Sequence, residues 1–191
     1  SSDTHTTNRP GGASDKNNPS GITAAYSVHN TRSEIWDAMN ECDIYGSQLL
    51  KIRANVRFNC SSIYDGELAY GRWINCNSPL KIRITANSTF QGIDNSGKNM
   101  CPFEYLPQEL DYPINDIWLI KKDRSRGRPW CKIINHTSPN LDTVVELFED
   151  ADVQPNDFYY IVIKQKGQKL AGVANEFMTF IGPVFINNVE Y

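Results

Sequence analysis

The chain has 191 residues, enough for one large or two small domains. Its 40% hydrophobic and 21% charged residues suit a globular protein with a real core, and its net charge of −3 argues against bulk binding to nucleic acid or an anionic membrane surface. It contains no apolar run of about 18 residues, so no segment is expected to span a bilayer.

The chain opens on Ser1-Ser2-Asp3-Thr4-His5. In an extended segment, residues two apart share a face, so Asp3 and His5 point the same way. A carboxylate oxygen beside an imidazole nitrogen suits Zn, Mn or Fe. Two ligands do not complete such a site, so the remaining ones must come from elsewhere. Ser1 to Ser20 lacks the apolar core of a secretory leader, so the leader of a secreted parent would lie upstream or have been removed.

Thr6 to Gly21 is rich in Asn, Pro, Gly and Ser and reads as a long loop. Ile22 to Ser27 is a short strand candidate. Thr31-x-x-Glu34 then forms a capping box, in which the Thr hydroxyl takes the Glu34 amide and the Glu carboxylate reaches back. Ile35, Trp36, Met39 and Cys42 follow near helical spacing, which predicts a helix over Thr31 to Cys42 with that face buried and Gly46 near its end.

From Leu49 the period changes to two. Leu50, Ile52, Ala54, Val56 and Phe58 alternate with Lys51, Arg53, Asn55 and Arg57, as in a half-buried strand. Further strands are expected over 68–75, 80–86, 116–122, 129–134, 143–148, 158–164 and 179–186, with a hairpin turn at Gln165-Lys166-Gly167-Gln168. Phe90 to Pro113, punctuated by Gly and Pro, reads as an irregular excursion. Seven or eight strands separated by turn residues predict a mostly β chain built as an antiparallel, Ig-like β-sandwich.

Cysteines stand at 42, 60, 76, 101 and 131, and none has the C-x-x-C spacing of a zinc ribbon. Sequons begin at Asn59, Asn87 and Asn135. Together they favour an oxidising, extracellular setting with glycans on those asparagines. The expected bridges are Cys60–Cys76 and Cys101–Cys131, with Cys42 free, although spacing alone does not fix connectivity.

Three stretches in order carry a family resemblance. They are Ser1 to His5; Gly21-Ile22-Thr23-Ala24-Ala25-Tyr26 running into Asn30-Thr31-Arg32-Ser33-Glu34-Ile35-Trp36-Asp37-Ala38-Met39; and Phe158-Tyr159-Tyr160-Ile161-Val162-Ile163-Lys164-Gln165. Together they resemble the C-terminal part of a PHP-type (polymerase and histidinol phosphatase) metal-dependent phosphoesterase, in a branch with a C-terminal β-sandwich. The resemblance implies that residues 1–47 are the final strand–helix unit of an α/β barrel and 48–191 the sandwich. It places Asp3 and His5 at the closing Asp-x-His of a site holding two or three ions. The other ligands would come from a preceding barrel or another chain, so this chain alone is not expected to hydrolyse phosphoesters. The alternative is a non-catalytic extracellular glycoprotein that uses the sandwich for assembly or adhesion.

Three other groupings stand out. Lys121 to Arg128 gathers five positive charges, as in an anion contact or a solvated hairpin tip. Glu146, Glu149, Asp150 and Asp152 gather negative charge, as in a calcium site or a solvated loop. Phe158, Tyr159, Tyr160, Phe177, Phe180 and Phe185 suit a carbohydrate platform or, more simply, a sandwich core.

Overall fold

The computed structural model describes residues 21–48, 52–60, 73–76, 79–88, 113–125, 131–166 and 176–187. They form strands β1 (Gly21–Ala25), β2 (Ile44–Gln48), β3 (Arg53–Asn59), β4 (Trp73–Asn75), β5 (Leu80–Asn87), β6 (Ile114–Lys122), β7 (Cys131–Thr137), β8 (Thr143–Asp150), β9 (Phe158–Lys166) and β10 (Glu176–Asn187), with helix α1 (Arg32–Asn40) between β1 and β2. The chain is therefore mostly β. A large sheet runs β1-β2-β10-β9-β6-β7, and a small one runs β3-β5-β8. Every pairing is antiparallel except β4 on β10. The two short strands share one edge of β10: β2 pairs with Thr179 to Ile181, and β4 with Phe185 to Asn187.

The period-two reading locates β3 and its partners well. Ala54, Val56 and Phe58 are buried while Arg53, Asn55 and Arg57 face outward, and Leu80, Ile82 and Ile84 on β5 are fully enclosed. They join Ile117 and Leu119 of β6, Val144 and Phe148 of β8, and Tyr159, Ile161 and Ile163 of β9 in one core between the sheets. Each fully buried Leu, Ile or Phe contributes about 1.5–3 kcal/mol. The Tyr45 ring enters the same core, and its hydroxyl donates to the Ile52 carbonyl at 2.6 Å.

Several local expectations are not met as read. β2 was not anticipated, and Gly46 lies within it rather than at a helix end. Cys42 terminates α1 instead, with φ +60°. Its amide donates to the Met39 carbonyl and that of Asp43 to the Ala38 carbonyl, which is the Schellman arrangement. The expected apolar face of α1 is also not buried. Ala38 is the buried residue of the helix, while Trp36 is 62% and Met39 50% exposed. Of the predicted hairpin turn at 165–168, Gln165 and Lys166 belong to β9, and 167–168 lie outside the described residues. The expected boundary at 47/48 falls inside β2, which is hydrogen-bonded to β10. Ser47 and Thr179 sit opposite each other there, with their hydroxyls 2.7 Å apart.

Candidate functional site

Asp3 and His5 lie outside the described residues, as do Cys101 and the excursion over 90–112. Among the described residues, no group of three or more His, Cys, Asp or Glu could hold a metal ion. His29 serves the helix start. Its backbone amide donates to Glu34 Oε2 at 2.5 Å, and its Nδ1 stands 2.7 Å from Glu34 Oε1. Half of the capping box forms as read, since the Glu34 amide donates to Thr31 Oγ1 at 3.3 Å. The carboxylate reaches past the cap to His29 rather than back to Thr31. His136 is exposed on β7.

The Cys60–Cys76 bridge is present, with Cα atoms 5.4 Å apart. It joins the end of β3 in the small sheet to the end of β4 in the large one. Cys42 is free and exposed, as expected. Cys131 is also a free, exposed thiol; Cys101 lies outside the described residues, and with it the expected Cys101–Cys131 bridge. Cys131 opens β7, where its sulfur hydrogen-bonds with the Tyr160 hydroxyl. Burial pushes the Tyr160 phenol up, and the neighbouring thiol pushes it further. Of the sequon residues, Asn135 is exposed on β7, while Asn59 and Asn87 are half-buried ends of β3 and β5.

Lys121 and Arg124 of the basic grouping meet Asp150 and Asp152 of the acidic one, while Arg126 and Arg128 lie outside the described residues. Lys121, 3% exposed, donates to Asp150 Oδ2 at 2.7 Å and pairs with Asp157 Oδ2 at 3.1 Å, with a further bond to the Asp152 carbonyl. Arg124 Nη2 pairs with Asp152 Oδ2 at 2.9 Å. Its Nε stands 3.1 Å from Asp157 Oδ1, within ion-pair reach but not aligned as a hydrogen bond. The Tyr159 hydroxyl donates to Asp150 Oδ2 at 2.7 Å, and the fully buried Asp157 also accepts the Gln154 amide at 2.9 Å. Burial alone would raise the Asp150 carboxyl. The bonds from Lys121, Tyr159 and the Asp152 amide outweigh it and hold that carboxyl below its ordinary value. Burial and then Asp150 push the Tyr159 phenol far up. The charges are thus spent on each other across the sheets, as an inter-sheet clamp. That arrangement replaces the anion-contact reading at Lys121 and Arg124 and the calcium reading at Asp150 and Asp152.

The aromatic grouping divides between the two faces of the large sheet. Tyr159 and Phe177 are buried. Phe158, Tyr160, Phe180 and Phe185 instead line an open, almost wholly apolar groove of about 420 Å³ on the outer face, with Ile181, Gly182 and Pro183 as its floor. The floor is a local irregularity in β10. The pairing with β9 shifts between Ile181 and Val184, where the Gly182–Pro183 peptide is cis and Gly182 has φ +114°. A side chain there would meet the Tyr159 carbonyl oxygen at 3.1 Å. Trp73 extends the groove by stacking on Phe185 at 4.9 Å between ring centroids. Sequence reasoning missed Trp73 because its place beside Phe185 depends on the parallel β4–β10 pairing.

Residues 2–75 match the model of a family described as Protein of unknown function (DUF3604). No curated protein and no solved structure matches the chain.

Proposed function

We propose that this chain supplies the closing part of a PHP-type metal-dependent phosphoesterase, followed by an Ig-like β-sandwich as an accessory module. The observation that carries this reading is the ordered set of Ser1 to His5, Gly21 to Met39 and Phe158 to Gln165; a match to a family of unknown function covers residues 2–75. It takes in Asp3 and His5 together with the β1–α1–β2 segment that the resemblance places at the end of a barrel. The exposed apolar side chains Val28, Trp36 and Met39 suit a segment that packs against a further domain.

In this reading Asp3 and His5 give one carboxylate and one imidazole to Zn, Mn or Fe, and the ligands that complete the cage belong to a preceding barrel or another chain. Such a donor set fits those metals. The described residues add no further cluster to it. The bound metal would polarise a phosphoryl oxygen and bring the pKa of a coordinated water toward about 7.

The test is elemental analysis of the protein expressed at its full natural length and purified without chelator. Two or three transition-metal ions per chain are expected, with a clear loss in the Asp3→Ala/His5→Ala variant. Metal absent from the unmodified protein, or retained in full by the variant, refutes the proposal.

The second reading is a non-catalytic extracellular glycoprotein in which the sandwich mediates assembly or adhesion. The open aromatic groove favours it, and the Cys60–Cys76 bridge is compatible with the setting. A metal-free protein that self-associates through this groove would replace the enzyme reading with this one.

A further inference from the structure

The outer face of the small sheet carries a charge that the chain as a whole does not. Alternation along the strands places Arg53, Asn55, Arg57 and Asn59 of β3 on it, and Lys81, Arg83, Thr85 and Asn87 of β5. Thr143, Val145, Leu147 and Glu149 of β8 complete the face. Among the described residues, four cations and one acid share this surface in a protein whose net charge is −3.

The register brings two of the cations together. Arg57 lies directly across from Arg83, and Asn55 directly across from Thr85. Like charges in directly opposed positions destabilise a sheet. These four residues, two adjacent cross-strand pairs, line one pocket of about 240 Å³. Among the described residues its side chains offer two planar guanidinium forks, an amide and a hydroxyl. Paired arginine forks match the oxygens of a phosphate or sulfate, and an amide and hydroxyl can complete its coordination. On the next strand, Val145 stands across from Thr85 and Leu147 across from Arg83, and both are more than half exposed. An apolar row beside an anion pocket suits a ligand with an organic part next to its anionic group.

We propose that the outer face of the small sheet binds a phosphate or sulfate ester, with Arg57 and Arg83 holding the oxyanion, Asn55 and Thr85 completing its contacts, and Val145 and Leu147 flanking the esterified group. The site is distinct from the Asp3 and His5 reading and does not depend on it.

The experiment is calorimetric titration of the full chain at low salt with glucose 6-phosphate, glucose 6-sulfate and inorganic phosphate. Saturable one-to-one binding of at least one ester is expected, tighter than that of inorganic phosphate; the preferred ester identifies the source of the oxyanion. Arg57→Ala and Arg83→Ala should each weaken binding about tenfold or more. Arg57→Lys keeps the charge and loses the fork, so it should still weaken binding several-fold. Arg53→Ala, on the same face but outside the pocket, should change affinity less than about twofold. All of these variants sit on the exposed face, and far-ultraviolet circular dichroism checks that each keeps its fold. Absence of saturable binding by all three probes overturns the proposal. So does an Arg53→Ala loss equal to that of Arg57→Ala, which would indicate a diffuse field rather than a site. Equal affinity for inorganic phosphate overturns the assignment to an ester.

Discussion

Replacing Lys121 by Met tests the inter-sheet clamp most directly. The Lys121 ammonium is 3% exposed and faces two carboxylates, Asp150 at 2.7 Å and the fully enclosed Asp157 at 3.1 Å. Methionine keeps most of the side-chain volume and removes the cation, leaving two buried carboxylates without their shared partner. Breaking a buried pair in this way costs about 3–5 kcal/mol. An independent scale agrees, since two unit charges about 4 Å apart interact by about 4 kcal/mol at an effective dielectric of about 20. Urea denaturation followed by tryptophan fluorescence reads the effect. With a slope of about 2 kcal/mol per molar, the midpoint should fall by roughly 2 M. The effect also has a pH signature. The folded Asp150 carboxyl is held below its ordinary value, so its stabilisation is complete above the unfolded carboxylate value of about 3.9 and is lost as pH falls through the folded value. Without Lys121 that depression is largely removed, so the gap between variant and wild type should narrow as the solution is acidified below about pH 4. A Lys121→Met protein within about 1 kcal/mol of wild type at neutral pH, or a gap that widens in acid, would refute the account.

Two further outcomes follow from local geometry. Gly182→Ala should destabilise the chain by about 1–3 kcal/mol, because it forces a side chain into φ +114° and against the Tyr159 carbonyl oxygen; a thermal midpoint unchanged within a degree would contradict this. Replacing both Cys60 and Cys76 by Ala should cost about 3 kcal/mol, given their separation of 16 residues, and an unaltered urea midpoint would show that the bridge adds no stability.

Among the described residues, every strand but β2 overlaps a span expected from the sequence, and alternation is most complete in β3 and β5. β3 and β5 could be read because Ala54, Val56, Phe58, Leu80, Ile82 and Ile84 mark one face and polar residues the other. β2 could not, since it is five residues long, holds Gly46 at its centre and buries Ser47 by pairing it with a residue 132 positions away. The helix shows a related limit. Spacing identified its apolar face but not whether anything covers it, and Trp36 and Met39 remain exposed among the described residues.

The charged groupings were visible as runs of one sign. Their mutual pairing was not, because Lys121 and Asp150 meet only when β6 and β8 are brought across the core. The arginine pair has the same character: alternation places Arg57 and Arg83 on outward faces, but only the register of β3 on β5 makes them neighbours. Of the expected bridges, Cys60–Cys76 forms, while the Cys101–Cys131 one falls partly outside the described residues.

Among the described residues, a covalent tie and a buried ion pair between the two layers lie at one end. Asn59 lies across from Lys81, and Leu80 across from Asp150, so the covalent link that begins at Cys60 and the Lys121–Asp150 contact secure the same rim of the small sheet. At the opposite rim, Ile114 and Leu141 exchange backbone hydrogen bonds, and the Ser88 amide donates to the Asp142 carbonyl. A force that pulls the layers apart therefore meets a covalent bond and a buried ion pair at one rim, and backbone hydrogen bonds at the other.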